Sequence, residues 1–572
     1  MKQVFFRVKS WFNKIFEDRT DIIVAVAALL YILASAFKIS LFNHVIIPHA
    51  DKWVFRFKFL TTSLVVIIVY PVLFWLRRRF LFITFYVAQI LYIIISMSYF
   101  MYFHNYLHFD VFAANFFEGL VAVLVESTPK SPLLLIAFID FPVFAYLAIK
   151  YRRANRLREK LRVPVSVIVA IALAITAYSQ YGHYKENKFI TQIAKSMRIG
   201  ESYIVQRYGT LANSVVAMLK YRTMQDYIES IQYGRPLARQ TETGDKPDIF
   251  IIQVESMESS IVRQVHDGTP VMPYLYSLTG KSVYYPYMLA YHFGGGTSDC
   301  EFSAINSVEP LVEYPAIKLS SYKAPNSFVK QLAGSSYKAY AFHGNIGRYY
   351  NRDIAFRNFG FEVFYDIDKM KLKNVGWGAP DEKVYEFALN RVKESERPVL
   401  SYVITMSSHG PFTNVSNYYN NGMFDNIGDK KLRNYYNSMN YVDKCIEDYI
   451  RAIREHFENA YIFIFGDHAP QVNNESFRES YIMIDDKRYE FVPMFILTPD
   501  NRAYREEQIV ASLLDISPTI LNLSGVRYDI LSDGIDLLDP GKTAPGKIPY
   551  RGLNWDRKKL FRHISSEMGQ GY

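Results

Sequence analysis

The stretch that decides the fold is IFIIQVES, residues 249–256, in which a short apolar run ends in a glutamate. Brief runs rich in β-branched and aromatic residues are typical of strands that are buried on both faces. A carboxylate at the end of such a strand is costly unless it is paired. The sequence therefore predicts a buried strand here, with a partner for Glu255 at its carboxyl end.

Runs of the same kind recur downstream and alternate with helical patterns. The strand-like runs are SVYYPYM (282–288), YKAYAF (337–342), VLSYVITM (399–406), AYIFIFG (460–466) and FVPMFIL (491–497). The helical patterns are NSFVKQLAGSS (326–336), DEKVYEFALNRVKES (381–395), NSMNYVDKCIEDYIRAIREHFEN (437–459) and QIVASLLDISPTILNLSG (508–525). This alternation indicates a mostly parallel sheet covered by helices on both faces. We expect residues 246–530 to form this α/β domain.

Long apolar runs dominate the first 180 residues instead. They are IIVAVAALLYILASAF (22–37), FLTTSLVVIIVYPVLFWL (59–76), FLFITFYVAQILYIIISMSYFMYF (80–103), SPLLLIAFIDFPVFAYLAI (131–149) and VPVSVIVAIALAITAYSQ (163–180). A helix of about 20 mostly apolar residues spans a bilayer, and the first run reaches that length by extending past Lys38. We predict a bundle of five transmembrane helices in 1–180, a helical linker in 181–245 and a C-terminal tail in 531–572.

Basic residues beside these runs predict the orientation of the chain. Lysines and arginines cluster at the N-terminus, at 77–79 and at 150–162, and these connections alternate along the chain. Because basic loops stay in the cytoplasm, five spans would place everything after residue 181 outside the cell membrane. The formal net charge of +10 then belongs largely to these loops, so no nucleic-acid partner is predicted.

Two polar features of the membrane part have alternative interpretations. Residues 107–128 place Asp110, Glu118 and Glu126 eight apart beside an apolar face. That pattern fits a helix in the membrane interface or a helix packed on the bundle. Asp140 interrupts an apolar run, and a carboxylate there is either functional or paired with a neighbouring span.

Polar side chains follow the apolar runs where the strands are predicted to end. They are Glu255, His343, His409, Asp467 and His468. Functional sites in such sheets lie at the carboxyl ends of the strands. The adjacent aspartate and histidine in GDHAP, residues 466–470, would suit Zn²⁺ or Mn²⁺. A turn-capping aspartate beside a surface histidine is the alternative interpretation of that pair.

A glycine track precedes a group of hydroxyls in HFGGGTSDCEF, residues 292–302. Glycines allow a close approach of the backbone, and TSDCEFSAINS is typical of a helix start. A helix N-terminus stabilises an incoming anion, and a metal ion activates a threonine hydroxyl. Thr297 is therefore a candidate nucleophile toward a phosphorus or sulfur ester. Ser298 is the competing nucleophile, and an ordinary helix cap is the alternative.

These motifs resemble, in order and rough spacing, those of the lipoteichoic acid synthase family. The resemblance is carried by QVES (253–256), GTSDCEF (296–302), FHGN (342–345), YYNRD (349–353), FGDHAP (465–470) and LLDISPTILNLSG (513–525). The family comprises membrane-anchored phosphoglycerol transferases within the alkaline phosphatase and sulfatase superfamily. The resemblance implies an N-terminal transmembrane bundle followed by an extracytoplasmic α/β catalytic domain.

The resemblance also implies roles for individual residues. Thr297 would be the nucleophile, and the ligands of one Mn²⁺, with Mg²⁺ or Zn²⁺ as alternatives, would be Glu255, Thr297, Asp467 and His468. The phosphate and glycerol of the substrate would be held by His343, Arg352, His409 and Tyr350. Arg352 would offer a planar fork to phosphate oxygens. Tyr350 occupies the place where the family has a tryptophan.

The predicted function is a metal-dependent phosphoglycerol transferase. It would move glycerophosphate from a phosphatidylglycerol-like lipid, through a threonine-linked intermediate, to a polymer or glycan acceptor. A phosphoethanolamine transferase or a phosphodiesterase on the same scaffold is the alternative. The former class usually carries several disulfides, whereas this chain has only Cys300 and Cys445. A sulfatase is disfavoured because EFSA follows Cys300, and a non-enzymatic sensor would have an incomplete ligand set.

Overall fold

The computed structural model of this 572-residue chain describes residues 16, 18–46, 78–103, 132–160 and 224–568, apart from gaps at 245, 313, 471–481, 485–486, 507 and 540–545. The chain divides into two compact units. One unit includes the N-terminal helices, and the other includes the residues from Arg222 onward.

The first unit is helical in its described part. It contains α1 (Arg19–Ile46), α2 (Arg79–Phe103), a 3₁₀ helix (Pro132–Phe138), α3 (Phe141–Ile149) and α4 (Tyr151–Lys160). Within the described ranges, three helical segments are long and apolar enough to cross a membrane: Arg19–Ile46, Arg79–Ser98 and Pro132–Ile149. They correspond to three of the predicted spans, and α1 does extend past Lys38. The predicted spans at 59–76 and 163–180 and the segment at 107–128 lie outside the described residues.

Asp140 lies between the 3₁₀ helix and α3, and its carboxylate is paired. Lys38 Nζ donates to Asp140 Oδ1 at 2.8 Å, and Tyr86 Oη donates to the same oxygen at 3.1 Å. Ser35 Oγ donates to Oδ2 at 2.5 Å, and Lys38 also donates to Gln89 at 2.9 Å. The Lys38 and Asp140 side chains are fully buried. Because a buried carboxylate is tolerated when it has a cationic partner, the pairing interpretation of Asp140 is confirmed.

The second unit is an α/β domain with the predicted alternation of strands and helices. Its helices are α5 (Met224–Glu229), α6 (Pro273–Leu278), α7 (Thr297–Asn306), α8 (Phe328–Ala333), α9 (Arg352–Phe359), α10 (Ile367–Met370), α11 (Asp381–Lys393), α12 (Lys430–His456), α13 (Ile516–Leu523) and α14 (Arg557–Met568). Its strands are β1 (Arg235–Arg239), β2 (Ile249–Val254), β3 (Val265–His266), β4 (Thr269–Pro270), β5 (Val283–Leu289), β6 (Lys338–His343), β7 (Val363–Tyr365), β8 (Val399–Ile404), β9 (Tyr461–Gly466), β10 (Ile482–Ile484), β11 (Lys487–Tyr489), β12 (Phe491–Leu497), β13 (Tyr504–Arg505), β14 (Ala511–Ser512), β15 (Tyr528–Ser532), β16 (Lys547–Tyr550) and β17 (Leu553–Asp556).

The central sheet has nine strands among the described residues, in the order β13–β5–β12–β9–β2–β8–β6–β7, with β14 beside β5. The strand pairs are parallel except for those that β12 makes with β5 and β9. One apolar core includes side chains of α7, α8, α9 and α13, and a second includes side chains of α6, α11 and α12. The predicted sheet with helices on both faces is confirmed, and the antiparallel strand β12 makes it a mixed sheet.

Three segments differ locally from the sequence-based expectation. The helical pattern at 508–525 contains a short strand, β14, because Ser512 and Asp515 form a capping box that starts the helical structure only after Ser512. The predicted linker includes β1, which pairs with β15. The predicted tail includes the hairpin of β16 and β17 and helix α14. Ile548, Tyr550, Leu560 and Ile564 of that segment belong to the apolar core.

Candidate active site

Two neighbouring parallel strands bring the carboxylates of the predicted metal site together. β2 pairs with β9 so that Val254 lies opposite Gly466, and Glu255 and Asp467 are the residues that follow. The Asp467 N–H donates to the Val254 carbonyl at 3.1 Å. Gly466 is required at this point because a Cβ there would lie 1.9 Å from the carbonyl oxygen of Met257. The carboxyl edge of the sheet therefore holds both carboxylates side by side.

The glycine track presents Thr297 as the first residue of α7. Gly296 has φ of 58° and ψ of −135°, a conformation that favours glycine. A Cβ on Gly295 would lie 2.2 Å from Asp299 Oδ1. Asp299 Oδ2 accepts the backbone N–H groups of Phe293 and Gly295, each at 2.9 Å. The glycines thus let the loop fold around a buried carboxylate and deliver the hydroxyl at a helix N-terminus.

The four predicted metal ligands lie together. Thr297 Oγ1 is 3.3 Å from Glu255 Oε2 and 3.2 Å from His468 Nε2. His468 Nε2 is 3.3 Å from Glu255 Oε1 and 3.7 Å from Asp467 Oδ2. Glu255, Asp467 and His468 are all buried. These three residues have a geometry that could hold one metal ion.

The hydrogen bonds of this cluster leave atoms that fit a cation. Asp467 Oδ1 accepts the N–H groups of Ser256 and His468 at 2.8 and 2.7 Å, whereas Asp467 Oδ2 is buried without a hydrogen-bond partner among the described residues. His468 Nδ1 is 2.8 Å from the Ala469 carbonyl, so this nitrogen is a donor, and Nε2 faces the cluster, where it could bind a metal ion after losing its proton. Two carboxylates, one hydroxyl and one imidazole suit Mn²⁺, Mg²⁺ or Zn²⁺.

The pKa values of these side chains are shifted by burial and by the charges of their neighbours. Burial lowers the pKa of His468, but the carboxylates of Asp467 and Glu255 raise it to about 10. Burial raises the pKa of Asp467 well above its usual value, and the charge of Glu255 adds to that rise. Burial opposes ionisation of Glu255 as well, yet the neighbouring His468 holds the Glu255 pKa below its usual value. A divalent cation would displace the protons that these shifts retain.

His343 lies within electrostatic reach of the cluster and is neutral. It is the last residue of β6, and its Nδ1 lies 3.2 Å from the Ile404 carbonyl. Burial and the nearby Arg352 charge lower the pKa of His343 to about 3. Because a carbonyl only accepts, Nδ1 carries the proton and Nε2 is an acceptor. Glu255 is among the charges that act on this histidine.

His409 approaches the cluster from the loop that follows β8. Its Nδ1 lies 2.7 Å from the Gly410 carbonyl, and its ring packs on Trp377 with the centroids 4.5 Å apart. The loop is also hydrogen-bonded to Glu255, a candidate metal ligand, because Ser408 Oγ donates to the Glu255 carbonyl at 2.6 Å. These contacts direct the free edge of the imidazole, with Nε2, away from the loop backbone.

Arg352 lies beside His343, but one edge of its planar guanidinium group already binds another side chain. Its Nε and Nη2 donate to the Glu301 carboxylate at 3.0 and 2.6 Å, and both side chains are buried. Only Nη1 has no hydrogen bond among the described residues, in contrast to the free fork expected from the sequence. Tyr350 lies with its ring centroid 5.9 Å from the guanidinium carbon and has φ of 56°, an uncommon conformation for a bulky residue.

Two further carboxylates at the site were not predicted from the sequence. Glu301 lies four residues after Thr297 on α7, and this spacing on one helix face is the signal that could have indicated it. Glu490 lies 2.9 Å from His292 Nδ1, and the His292 ring stacks on His468 with the centroids 4.2 Å apart. Glu490 immediately precedes β12, and the antiparallel direction of that strand brings it to this edge of the sheet.

Comparisons with known proteins show which family the α/β domain matches. Residues 247–526 match the family model described as Sulfatase. The chain is 25% identical over 373 residues to the lipoteichoic acid synthase-like protein YvgJ of Bacillus subtilis, across 61% of this chain and 60% of that protein. It is 26% identical over 340 residues to the lipoteichoic acid synthase of Staphylococcus aureus, across 56% of this chain and 52% of that protein. The chain thus matches only about half to three-fifths of the length of these relatives.

A solved structure extends the likeness in fold to most of the chain. The integral membrane protein lipooligosaccharide phosphoethanolamine transferase A (EptA) of Neisseria meningitidis superposes with a TM-score of 0.52 at 13% identity, across 88% of this chain and 95% of that chain. This likeness concerns the fold alone. Residues 247–526 are therefore a sulfatase-family domain, in a chain that is similar over about three-fifths of its length to proteins named lipoteichoic acid synthase.

Proposed function

We propose that this chain is a metal-dependent phosphoglycerol transferase. It moves glycerophosphate from a phosphatidylglycerol-like lipid to a hydroxyl of a polymer or glycan at the outer face of the cell membrane. The observation that carries the proposal is the Thr297 hydroxyl, which lies at a helix N-terminus within 3.3 Å of both Glu255 and His468. The relatives named lipoteichoic acid synthase support the same chemistry.

The reaction proceeds in two displacements at one phosphorus atom. Thr297 Oγ1 attacks the phosphorus, the P–O bond to diacylglycerol breaks, the threonine proton goes to the departing diacylglycerol oxygen, and a glycerophosphoryl ester of threonine forms. An acceptor hydroxyl then attacks the same phosphorus, and its proton goes to the departing threonine oxygen. A divalent cation held by Glu255, Asp467 and His468 would lower the pKa of the hydroxyl and neutralise charge on the phosphoryl oxygens.

The surrounding side chains move protons and hold the substrate. His409 bonds a backbone carbonyl through Nδ1, so its Nε2 relays both protons, first from Thr297 to the diacylglycerol oxygen and then from the acceptor to the threonine oxygen. Neutral His343 accepts a hydrogen bond from a glycerol hydroxyl through Nε2. Arg352 donates to a phosphoryl oxygen through Nη1, while Glu301 holds the rest of the guanidinium in place. Tyr350 contacts the headgroup beside it.

The lipid donor implies a defined topology, because anchoring holds the domain near its substrate. Three apolar helices among the described residues support a membrane location. The basic clusters at 77–79 and 150–162 support a cytoplasmic side for those connections.

We expect a reporter fused after residue 185 to be active only outside the membrane, and one at residue 155 only inside. The reverse pattern would contradict a donor in the outer leaflet.

The direct test uses the full-length chain in lipid vesicles with Mn²⁺ and glycerol phosphate as the acceptor. Phosphatidylglycerol vesicles are expected to release diacylglycerol and to yield an acceptor heavier by one glycerophosphoryl group, measured by mass spectrometry. Phosphatidylethanolamine vesicles are expected to remain unchanged. Release from phosphatidylethanolamine alone would point to a phosphoethanolamine transferase, and hydrolysis without acceptor modification would point to a phosphodiesterase.

A further inference from the structure

The C-terminal hairpin of β16 and β17 packs against the glycine-rich active-site loop, although it lies beyond the matched range 247–526. Tyr291 Oη donates to the Pro549 carbonyl at 2.9 Å. At the start of α14, Arg557 donates two hydrogen bonds of 2.7 Å to Asp515, and both side chains are buried. These contacts fix the hairpin on the domain, so its side chains have defined positions beside the site.

Arg551, at the tip of this hairpin, has a guanidinium that contacts two aromatic rings but makes no ion pair among the described residues. The guanidinium carbon lies 4.7 Å from the ring centroid of Phe293 and 5.7 Å from that of Tyr550. Within the part of the chain that the structure describes, its Nε is buried without a hydrogen bond, and its other guanidinium nitrogens have no ion pair. Glu309 binds the Arg551 backbone N–H instead. Burial raises the pKa of Glu309 to about 7, so this carboxyl only partly offsets the arginine charge at neutral pH.

The backbone conformation of Arg551 is a second observation, independent of its side-chain contacts. Tyr550 pairs with Leu553 across the hairpin, so Arg551 and Gly552 are the two central residues of the turn, with φ of 49° and 75°. Such turns favour asparagine or aspartate followed by glycine, because both central residues need a positive φ. An arginine in this conformation is strained, and strained residues cluster at functional sites.

Phe293 connects Arg551 to the catalytic loop. Its backbone N–H donates to Asp299 Oδ2 at 2.9 Å, and its carbonyl accepts the Gly296 N–H at 3.3 Å. The ring on which the guanidinium lies therefore belongs to the same turn that presents Thr297. The guanidinium of Arg551 lies one side chain away from this turn, at the edge of the candidate active site.

We propose that Arg551, held on the ring of Phe293, forms an anion-binding subsite for the phosphate of a glycerophosphate group. The identity of the anion rests on the proposed function, whereas the subsite rests on the guanidinium of Arg551 and its ring contacts. An arginine held by ring contacts keeps the N–H donors of its two Nη atoms for a phosphate, which they bind in a planar, bidentate manner. The phosphate belongs either to the lipid donor or to the end of the acceptor.

Three variants separate binding from folding. Arg551→Asn removes the guanidinium but favours the turn, because asparagine adopts a positive φ readily. Its thermal midpoint is expected to equal or exceed that of the parent. Arg551→Lys keeps the charge and loses the planar fork. Arg562→Gln, at an exposed position of α14 in the same segment, is the matched control.

Anion binding is measured first, because it does not require turnover. Inorganic phosphate and glycerol phosphate are titrated into the full-length protein in detergent with Mn²⁺. Arg551→Asn is expected to weaken binding by about 10- to 100-fold, the range for hydrogen bonds to a charged group. Arg551→Lys is expected to weaken it less, and Arg562→Gln is expected to leave it unchanged.

Kinetics on phosphatidylglycerol then identify the source of the phosphate. If Arg551 holds the donor, Arg551→Asn raises KM for phosphatidylglycerol with either glycerol or glycerol phosphate as the acceptor. If it holds the acceptor, only the KM for glycerol phosphate rises, and that for uncharged glycerol does not. Unchanged phosphate binding in Arg551→Asn would overturn the subsite. Binding that depends on Arg551 in a chain inactive on phosphatidylglycerol would overturn the proposed function and leave the subsite intact.

Discussion

Replacement of Thr297 by alanine is expected to reduce glycerophosphate transfer to near background. The change removes the attacking hydroxyl and one metal-ligand atom together, and losses of groups that act in concert reach several orders of magnitude. With acceptor withheld, the wild-type peptide that contains FGGGTSDCEF (293–302) should gain one glycerophosphoryl mass in phosphatidylglycerol vesicles. Thr297→Ala should show no such adduct. Mass spectrometry of the digested full-length protein measures both results.

Two neighbouring substitutions sharpen this test. Thr297→Ser keeps a hydroxyl, so we expect reduced but measurable activity. Ser298→Ala should spare the adduct, because Ser298 Oγ is buried and donates to the Gly295 carbonyl at 2.7 Å. An adduct found on Ser298 would contradict the assignment of the nucleophile.

Removal of the metal ion is expected to abolish transfer, with Mn²⁺ the best ion for recovery. The physical reason is the buried Asp467 Oδ2 beside Glu255 and His468, which has no hydrogen-bond partner in the described parts of the chain. A second readout does not depend on activity, because an ion that binds only the folded state stabilises it by about 2.7 kcal/mol at 100 times its Kd. The thermal midpoint should therefore rise on addition of Mn²⁺ to the metal-free chain.

Asp467→Asn should lose most of this thermal response, since it removes one charged ligand. Asp529→Asn, at an exposed aspartate of β15, is the matched control and should keep the full response. One ion per chain is expected. Two tightly bound ions would contradict the single-ion site and would implicate the adjoining group of His292, His468 and Glu490. Full activity in metal-free protein would contradict the metal requirement itself.

The strands and the ends of the strands were predictable because their signals are local. The six apolar runs coincide with β2, β5, β6, β8, β9 and β12. An apolar run marks a strand that is buried on both faces, and parallel neighbours end at the same edge of a sheet. Glu255 and Asp467 therefore lie together as their positions after β2 and β9 indicated.

The partners of charged side chains were not predictable, because they come from distant parts of the chain. Glu301 engages the fork of Arg352 across 51 residues of sequence. Asp140 pairs with Lys38 across 102 residues. Apolar patterning specifies that a residue is buried, but it does not specify which oppositely charged group is buried with it. The direction of β12 was not predictable either, because an apolar run can form a strand that is parallel or antiparallel to its neighbours.

By itself, the sequence determined three of the predicted apolar spans, the alternation that produces an α/β sheet, and the polar residues at the strand ends. Each of these depends on the composition of a few consecutive residues. Only the tertiary structure decided that Glu490 reaches the site, that Glu301 restrains Arg352, and that the C-terminal hairpin brings Arg551 onto Phe293. These contacts depend on strand direction and on packing between distant segments, which local composition does not encode.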